Sequence, residues 1–282
     1  MAEIGPIGVL IIIINFISSY KGFNDWQFFN QFKFQIGDIL IKKDYKRLIT
    51  SGFLHVDWTH LLFNMFSFYS FGANLEHQLG SFYFALVYFI SLLSGNLFAL
   101  LIHKNHNKYS AVGASGAVCG IIFASIALFP NIGMGILFLP LSIPGWLFGL
   151  LYISYTIYGI KANNDNIGHE AHLGGAVIGM LTAIIIKPSS LIQNYIPILL
   201  SLVPTLIFIF FVLTKPHLLF VDNPFKTQKK QQTKDDQYNE ERALNKKEFN
   251  LLLEKIHKKG IDKLTAKERK KLDEYSKINS KE

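Results

Sequence analysis

Fifty consecutive residues of this chain, Ala111 to Ile160, contain no Asp, Glu, Lys, Arg or His. So long an apolar run is typical of a chain that crosses a lipid bilayer, whose hydrocarbon core takes about 20 helical residues. Ser115 nevertheless lies inside this run, and His172 lies in the next apolar stretch. Burying a hydroxyl or an imidazole is costly unless it is paired or contacts water, so polar groups inside spans are candidates for function.

The positions of the charges indicate a membrane domain followed by a soluble tail. Half of the 282 residues are hydrophobic, and only 17% are charged. Residues 1–214 contain ten Lys/Arg against eight Asp/Glu, whereas residues 215–282 contain eighteen against twelve. The basic surplus therefore belongs to the tail. Because Lys and Glu are interspersed there, the pattern predicts attraction to the headgroups of the lipid bilayer and no nucleic-acid partner.

Apolar windows predict the membrane helices. They are residues 5–20, 59–75, 81–102, 111–128, 145–160, 169–187 and 190–214. We interpret the first as a retained span, because it lacks the positive flank of a secretory signal. Pro130, Pro140 and Pro144 divide the uncharged run, so we expect two helices joined by an apolar, re-entrant connection that is buried in protein. The predicted fold class is all-α, a polytopic membrane helix bundle with seven spans.

The windows also predict the domain organisation. The expected regions are six membrane helices at 1–187, a further span at 188–214, a linker at 215–240 and a small soluble helical hairpin at 241–282. For the extra span a second arrangement stays open, in which Pro197 and Pro204 mark a hairpin that enters the membrane and returns. In the tail, Thr265 and Glu268 have the spacing of a capping box at a helix start.

The segment from Lys21 to Trp58 is too polar for a span and too long for a simple turn. It combines several Phe residues with Lys and Arg. Aromatic rings and long basic side chains both prefer the interface between lipid and water. The composition therefore predicts a structured segment that lies at the membrane surface.

Polar groups on three separate spans have the residue types of an acyl-transfer site. Ser115 is flanked by Gly113 and Gly116, and such small residues alone favour a packing motif, because they let helices approach closely. His60 and Asn64 are four residues apart, which places them on one face of the second span. Together with the histidine of a later span, they make a catalytic site about as plausible as a structural one.

As a catalytic site, these residues would supply a nucleophile, a base and oxyanion donors. Ser115 would begin a helix whose N–H groups face a developing oxyanion, and Asn64 and His60 would add side-chain donors. His172 lies near the start of its span, where the helix dipole favours the neutral imidazole that a base requires. Glu170 should point to another face, so the pattern predicts a Ser–His dyad without a carboxylate.

These motifs resemble those of the rhomboid family of intramembrane serine proteases. Over roughly residues 5–187 the matching positions are Arg47, His55, His60-x-x-x-Asn64, Glu76-x-x-x-Gly80, Gly113-x-Ser115-Gly116 and Ala171-His172-x-x-Gly175. The resemblance implies a six-helix membrane core at 1–187, with the seventh span outside it. In this core Ser115 would be the nucleophile and His172 the general base. On the oxyanion side it implies Asn64 and His60, with the backbone from Gly113 to the serine. It also implies transmembrane protein substrates, a water-filled cavity open to the outside and, here, a bacterial cytoplasmic membrane as the location.

Two positions depart from the family pattern. Lys46 stands where many bacterial members have Trp, before the arginine of the first loop. Cys119 stands one helical turn after the serine, where many members have a Tyr that stacks on the catalytic histidine. We expect Cys119 to be a small apolar filler. His169, three residues before His172, is either a support for it or an interfacial histidine, and Gly116 is expected to support the site by close packing.

Other functions fit the residues less well. A zinc protease would need His-Glu-x-x-His, and His169-Glu170-Ala171-His172 is one residue short, so we expect no metal and no cofactor. A rhomboid-like pseudoprotease, which binds or escorts membrane helices without cleaving them, stays the alternative, although such members typically lack the serine or the histidine. A transporter or channel would need charged residues along a path through the spans. The prediction is a serine endopeptidase, with no oligomeric state indicated.

Overall fold

The computed structural model describes residues 3–131, 133–135, 142–162 and 168–214, together with eight positions between 252 and 272. The chain divides into two compact units, Met1–Thr227 and Gln228–Glu282. The first unit contains the membrane helices and every residue of the candidate site.

Helices dominate the described residues. They are α1 (Pro6–Asn24), α2 (Trp26–Phe32), α3 (Ile36–Leu40), α4 (Arg47–Thr50), a 3-10 turn (Ser51–Phe53), α5 (Trp58–Leu79), α6 (Ser81–His103), α7 (Ser115–Leu128), α8 (Gly145–Ala162), α9 (His169–Ile186), α10 (Ser189–Gln193) and α11 (Tyr195–Thr214). Two antiparallel pairs of short strands join loops, β1 (Phe34–Gln35) with β2 (Ser110–Ala111) and β3 (Gly133–Gly135) with β4 (Ser142–Pro144). The all-α class is therefore confirmed.

Each apolar window contains one long helix. By length and composition α1, α6 and α9 can each cross a membrane, and α7 and residues Tyr195–Phe210 of α11 are shorter apolar helices. Almost every side chain of α7 is buried, so this short helix is the centre of the bundle. The protein is an integral, multi-pass membrane protein, and the predicted polytopic helix bundle is confirmed.

The uncharged run divides into two helices, as its prolines predict. α7 ends at Leu128 and α8 begins at Gly145. Between them β3 pairs with β4, and the backbone N–H of Trp146 donates to the carbonyl of Pro130 at 3.1 Å. Residues 136–141 of the predicted re-entrant connection lie outside the described residues.

The last window differs from the prediction, because it contains two helices rather than one. The break falls at Asn194, whose side-chain N–H groups donate to the carbonyls of Ala127 at 2.9 Å and Leu128 at 3.2 Å. These carbonyls end α7 and have no partner within their own helix, so the amide satisfies them. α11 then continues without interruption through Pro204. The hairpin interpretation at the prolines is therefore wrong, while a complete crossing by residues 188–214 stays a prediction.

The first loop is built around one buried arginine. Arg47 is 7% exposed, and its guanidinium contacts Asp38 and Asp44 at 2.9 Å each and donates to the carbonyls of Asn30 and Lys33 at 2.8 Å each. Because these acceptors come from α2, α3 and the turns that follow each of them, a single side chain fixes the segment. The predicted structured segment is observed. Arg47 anchors this segment even though the residue before it is Lys46, at the position where many members of the resembled family have Trp.

A carboxylate anchors the other end of the bundle. The buried side chain of Glu76 accepts hydrogen bonds from the N–H groups of Ile7 at 3.0 Å and Gly8 at 2.9 Å, in the first turn of α1. It also accepts from the hydroxyl of Ser81 at 2.7 Å. Gly80 has a φ of 78°, which favours glycine and lets α6 begin directly after α5. Glu76 therefore ties α1, α5 and α6 together.

Glycines bring α9 against α6 and α7. A Cβ on Gly175 would overlap the backbone of Gly116, and a Cβ on Gly179 would overlap the backbone of Gly120. A Cβ on Gly95 of α6 would overlap the carbonyl of Ala171 in α9. Backbone thus packs directly on backbone at three contacts in two helix crossings. This is the close approach that small residues permit between membrane helices.

Within the tail, the structure describes the predicted capping box. The N–H of Glu268 donates to the hydroxyl of Thr265 at 3.3 Å, and the N–H of Thr265 donates to the Glu268 carboxylate at 2.8 Å. The ammonium of Lys255 lies 2.6 Å from the same carboxylate, and these contacts lower the pKa of Glu268 to about 2. The capping box is confirmed, and most of the predicted helical hairpin lies outside the described residues.

We predict that Gly175→Ala destabilises the bundle by about 1–3 kcal/mol, the usual cost of overpacking a tight interface. The added methyl group has to push α9 away from α7. Thermal unfolding in detergent would measure the change. Gly168→Ala is the matched control, because among the described residues a Cβ there meets only the hydroxyl of Tyr109, at 3.8 Å. Equal unfolding temperatures for the two variants would contradict the predicted role of the α7–α9 crossing.

Candidate active site

Ser115 is the first residue of α7, and the chain before it has a geometry that requires glycine. Gly113 has a φ of +133°, a backbone conformation that L side chains rarely adopt. A Cβ there would also lie 2.9 Å from the ring of His60. The N–H of Gly113 donates to the carbonyl of Ser51 at 3.0 Å. These contacts fix the peptides that lead into the start of α7.

His172 lies in the first turn of α9, and its ring faces the serine. Its Nε2 is 2.6 Å from Oγ of Ser115. Both residues are half-buried. The close packing of α9 on α7 sets this distance, because Gly175 stands on α9 one turn after His172 and contacts Gly116. The structure therefore brings together the two residues that were predicted as a dyad.

A third group contacts His172, and the sequence reasoning missed it. The hydroxyl of Tyr152, on α8, lies 3.1 Å from Nδ1 of His172 and 2.9 Å from the sulfur of Cys119. Cys119 is buried, as an apolar filler would be, but its sulfur also takes part in this hydrogen bond. One indication of such a group was present in the sequence. Cys119, a small residue, stands where many members of the resembled family have the Tyr that contacts the catalytic histidine.

His169 lies beside His172 within the bundle. Its ring lies edge-on to that of His172 with centroids 6.0 Å apart, and it packs against the ring of Tyr155 at 5.4 Å. It is 1% exposed, and its role, as a support for His172 or as an interfacial histidine, stays a prediction. The adjacent Glu170 contacts His103 at 3.3 Å, on another face of α9 from the dyad.

The two residues predicted as oxyanion donors lie on α5. The ring of His60 lies beside Gly113, close to the chain that leads into α7. The side-chain amide of Asn64 donates one of its two N–H groups to the backbone carbonyl of His60 at 3.0 Å. Asn64 is 7% exposed. The helix α5 thus holds both side chains on the face predicted from their spacing.

His55 has a structural role that the motif alone did not reveal. The N–H of Ala114 donates to Nε2 of His55 at 3.4 Å, which requires that this nitrogen carries no proton. Nδ1 then carries the proton and donates to Ser19 at 2.9 Å, and the Ser19 hydroxyl donates to the carbonyl of Phe53 at 3.1 Å. Burial, with the nearby ring of His60, lowers the pKa of His55 to about 3. A neutral imidazole therefore links α1 to the peptide before the nucleophile.

A cavity of about 360 Å³ lies away from this chemistry. It is lined by Asn74, Gln78, Phe129, Pro130 and Asn131. Asn74 and Gln78 lie on α5, and the other three residues directly follow the C-terminal end of α7, roughly 20 Å along that helix from its first residue. Among the residues that the structure describes, no group of three or more His, Cys, Asp or Glu is arranged to hold a metal ion.

Comparison with known proteins agrees with this geometry. A family model described as Rhomboid domain matches residues 42–189, slightly more than half of the chain. The chain belongs to the rhomboid family. The matched region contains Ser115, His172 and both candidate oxyanion residues. A second model, a family of unknown function (DUF6576), matches residues 232–278 within the tail of this rhomboid protein.

Individual rhomboid proteins from several organisms are similar over the membrane region. "RHOMBOID-like protein 12, mitochondrial" of Arabidopsis thaliana is 30% identical over 177 residues, which are 55% of this chain and 52% of that protein. "Rhomboid protein 1, mitochondrial" of Saccharomyces cerevisiae is 30% identical over 166 residues, 56% of this chain and 48% of that protein. The chain thus spans about half the length of these relatives. "Rhomboid protease AarA" of Providencia stuartii is 30% identical over 202 residues, 62% of this chain and 70% of that protein.

We predict that acidification destabilises this rhomboid protein through His55. An unfolded histidine has a pKa of about 6.5, whereas the folded value is about 3. The stability that neutral His55 provides is therefore complete above pH 6.5 and is lost as the pH falls toward 3, by about 2 kcal/mol between pH 7 and pH 5. Thermal unfolding in detergent at these two pH values would measure this change.

The comparison variant is His55→Asn, which cannot titrate, with the exposed His77→Asn as control. The wild type and the control should lose stability on acidification, and His55→Asn should lose about 2 kcal/mol less. A His55→Asn protein that is as sensitive to this pH change as the wild type would contradict the assignment.

Proposed function

We propose that this protein is an intramembrane serine endopeptidase that hydrolyses peptide bonds in or near transmembrane helices of membrane protein substrates. The observation that carries the proposal is the 2.6 Å contact between Oγ of Ser115 and Nε2 of His172. Both side chains stand at the first turn of a largely buried apolar helix, where an unreactive polar pair would be costly. Family membership and the name of the Providencia relative support the same activity.

The reaction follows from the positions of the two side chains. Oγ of Ser115 attacks the scissile carbonyl carbon while Nε2 of His172 takes the hydroxyl proton. The tetrahedral intermediate collapses, the C–N bond breaks, and His172 gives the proton to the leaving amine. Water then attacks the acyl-enzyme, with His172 again as base, and the new carboxyl product leaves as Ser115 regains its proton.

The developing oxyanion needs preorganised donors. The N–H groups at the start of α7 have no partner one turn earlier in the helix and point toward negative charge. The ring of His60 lies beside Gly113, next to these N–H groups, and the second N–H of Asn64 is available for the same charge. These three sets of donors form the proposed oxyanion site.

Two alternatives have less support. A pseudoprotease would have no reason to hold a serine and a histidine in hydrogen-bond contact at the starts of two helices. A zinc enzyme would need a set of ligands, and Glu170 is instead engaged with His103.

The proposed location is a bacterial cytoplasmic membrane. No cofactor enters the mechanism, and water is the only other reactant.

We predict that Ser115→Ala abolishes cleavage of single-span reporter proteins in membranes, because the nucleophile is lost while the volume hardly changes. His172→Ala should be equally severe, and the double variant should be no worse than either single variant, since a dyad acts as a unit. Ser70→Ala is the matched control, because the Ser70 hydroxyl is exposed and donates only within α5. If Ser115→Ala retains a few per cent of the activity or more, Ser115 is not the nucleophile.

For the oxyanion site, we predict that Asn64→Ala lowers kcat by roughly ten- to a thousandfold with little change in KM. Initial rates on one reporter in detergent would separate the two parameters. Asn24→Ala is the matched control, because Asn24 also donates to a carbonyl four residues earlier in its own helix. A rise in KM with an unchanged kcat would make Asn64 a binding residue instead of an oxyanion donor.

A further inference from the structure

The hydroxyl of Tyr152 contacts both the base and a cysteine, and neither the family pattern nor the sequence assigns it a role. It lies 3.1 Å from Nδ1 of His172 and 2.9 Å from the sulfur of Cys119. We propose that Tyr152 is a positioning residue, which fixes the tautomer and the orientation of His172, and that Cys119 sets the direction of its hydroxyl. This inference rests on the proposed function, because it concerns the base of that reaction.

The tautomer of His172 is the first step of the argument. To take the proton of Ser115, Nε2 must be unprotonated, so a neutral ring carries its hydrogen on Nδ1. That N–H needs an acceptor in a region where apolar side chains dominate. The hydroxyl oxygen of Tyr152 is at the right distance to accept it. The contact therefore stabilises the tautomer that can act as a base.

Cys119 determines which way the hydroxyl of Tyr152 points. A phenol can also donate, and donation to Nδ1 would stabilise the opposite tautomer, in which Nε2 carries the proton and cannot act as a base. The sulfur of Cys119, at 2.9 Å, is an acceptor for the O–H. With its proton directed at the sulfur, Tyr152 presents only its oxygen to His172.

The phenol ring is held in place by other aromatic rings. It stacks on Phe148 with centroids 6.1 Å apart and an interplanar angle of 17°, and it packs against Phe123 at 6.0 Å. A side chain fixed on both sides can orient a neighbour at little entropic cost. The contact also connects α8 to α9, so the base is aligned only while α8 is packed against the bundle.

The contact gains strength as the reaction proceeds. When His172 takes the serine proton its ring becomes a cation, and a hydrogen bond from a charged N–H is roughly twice as strong as a neutral one. Tyr152 therefore stabilises the transition state more than the resting enzyme. That difference should appear in kcat more than in KM.

Tyr152→Phe is the direct test, because it removes the hydroxyl and keeps the ring. We expect kcat to fall about ten- to a hundredfold with KM changed less than about twofold, and the rate of Ser115 labelling by a fluorophosphonate to fall in parallel. Tyr158→Phe on the same helix, with a side chain that is 64% exposed, is the control. A Tyr152→Phe enzyme with wild-type kcat would overturn the proposal.

A second pair of variants distinguishes hydrogen bonding from packing. Cys119→Ser keeps an acceptor for the Tyr152 hydroxyl, whereas Cys119→Ala removes it. We expect the serine variant to have the higher kcat of the two, by several-fold, although a polar group is normally the worse filler in an apolar site. If Cys119→Ala is as active as Cys119→Ser or more so, the sulfur only fills space and the proposal fails.

Ser115→Ala, assayed beside these variants, separates the two proposals. If Ser115→Ala cleaves the reporter, the proposed function is wrong. If Ser115→Ala is inactive while Tyr152→Phe retains the wild-type kcat, the function stands and only the role of Tyr152 is rejected. Thermal unfolding of each variant in detergent identifies any loss of activity that comes from misfolding, and the cysteine pair then decides the question by itself.

Discussion

The contact of α9 with α6 and α7 through bare backbone is the constraint on which the rest of the structure depends. In lipid, no hydrophobic force distinguishes a neighbouring helix from an acyl chain, so association depends on close packing and on interhelical hydrogen bonds. Gly175 against Gly116, and Gly179 against Gly120, allow a closer approach of the two helices than any larger residue would permit. Because Ser115 and His172 begin these same two helices, the packing that holds the bundle together also sets the distance between them.

Buried polar groups fix the remaining helices and loops around the site. Each of the groups that position the site has more than one partner. Arg47 contacts two carboxylates and donates to two carbonyls, Glu76 accepts three hydrogen bonds, and His55 links Ser19 to the peptide before the nucleophile. A buried charge with one partner would be costly, whereas a fully satisfied one fixes geometry. The helices therefore meet in one arrangement, and the loops that lead to Ser115 are held from two sides.

Much of the fold and part of the candidate site could be predicted from the sequence, for physical reasons. Apolar windows locate helices because lipid requires about 20 apolar residues for each crossing, so a helix that begins near Ser115 could be expected from the window 111–128. The break at Asn194 could not be predicted, since it depends on the carbonyls of a helix that ends 66 residues earlier. Tyr152 was missed for the same reason. Three tyrosines on α8 are equivalent in the sequence, and only the packing of α8 against α9 selects the one that reaches His172.

A tyrosine hydroxyl, the group that contacts Nδ1 of His172, suits the apolar surroundings of the dyad. A carboxylate at this place would stabilise the imidazolium more strongly, but in the resting enzyme it would be an ionised group next to a neutral ring, in a region of low polarity where such charges are costly. The carboxylate that is near in sequence, Glu170, is turned to His103 instead. A phenol accepts the same hydrogen bond without a formal charge. The hydrogen-bonded series of Ser115, His172 and Tyr152 is therefore neutral until the reaction begins. The charge that then develops is stabilised mainly on the oxyanion side, where the N–H groups at the start of α7 are fixed in advance.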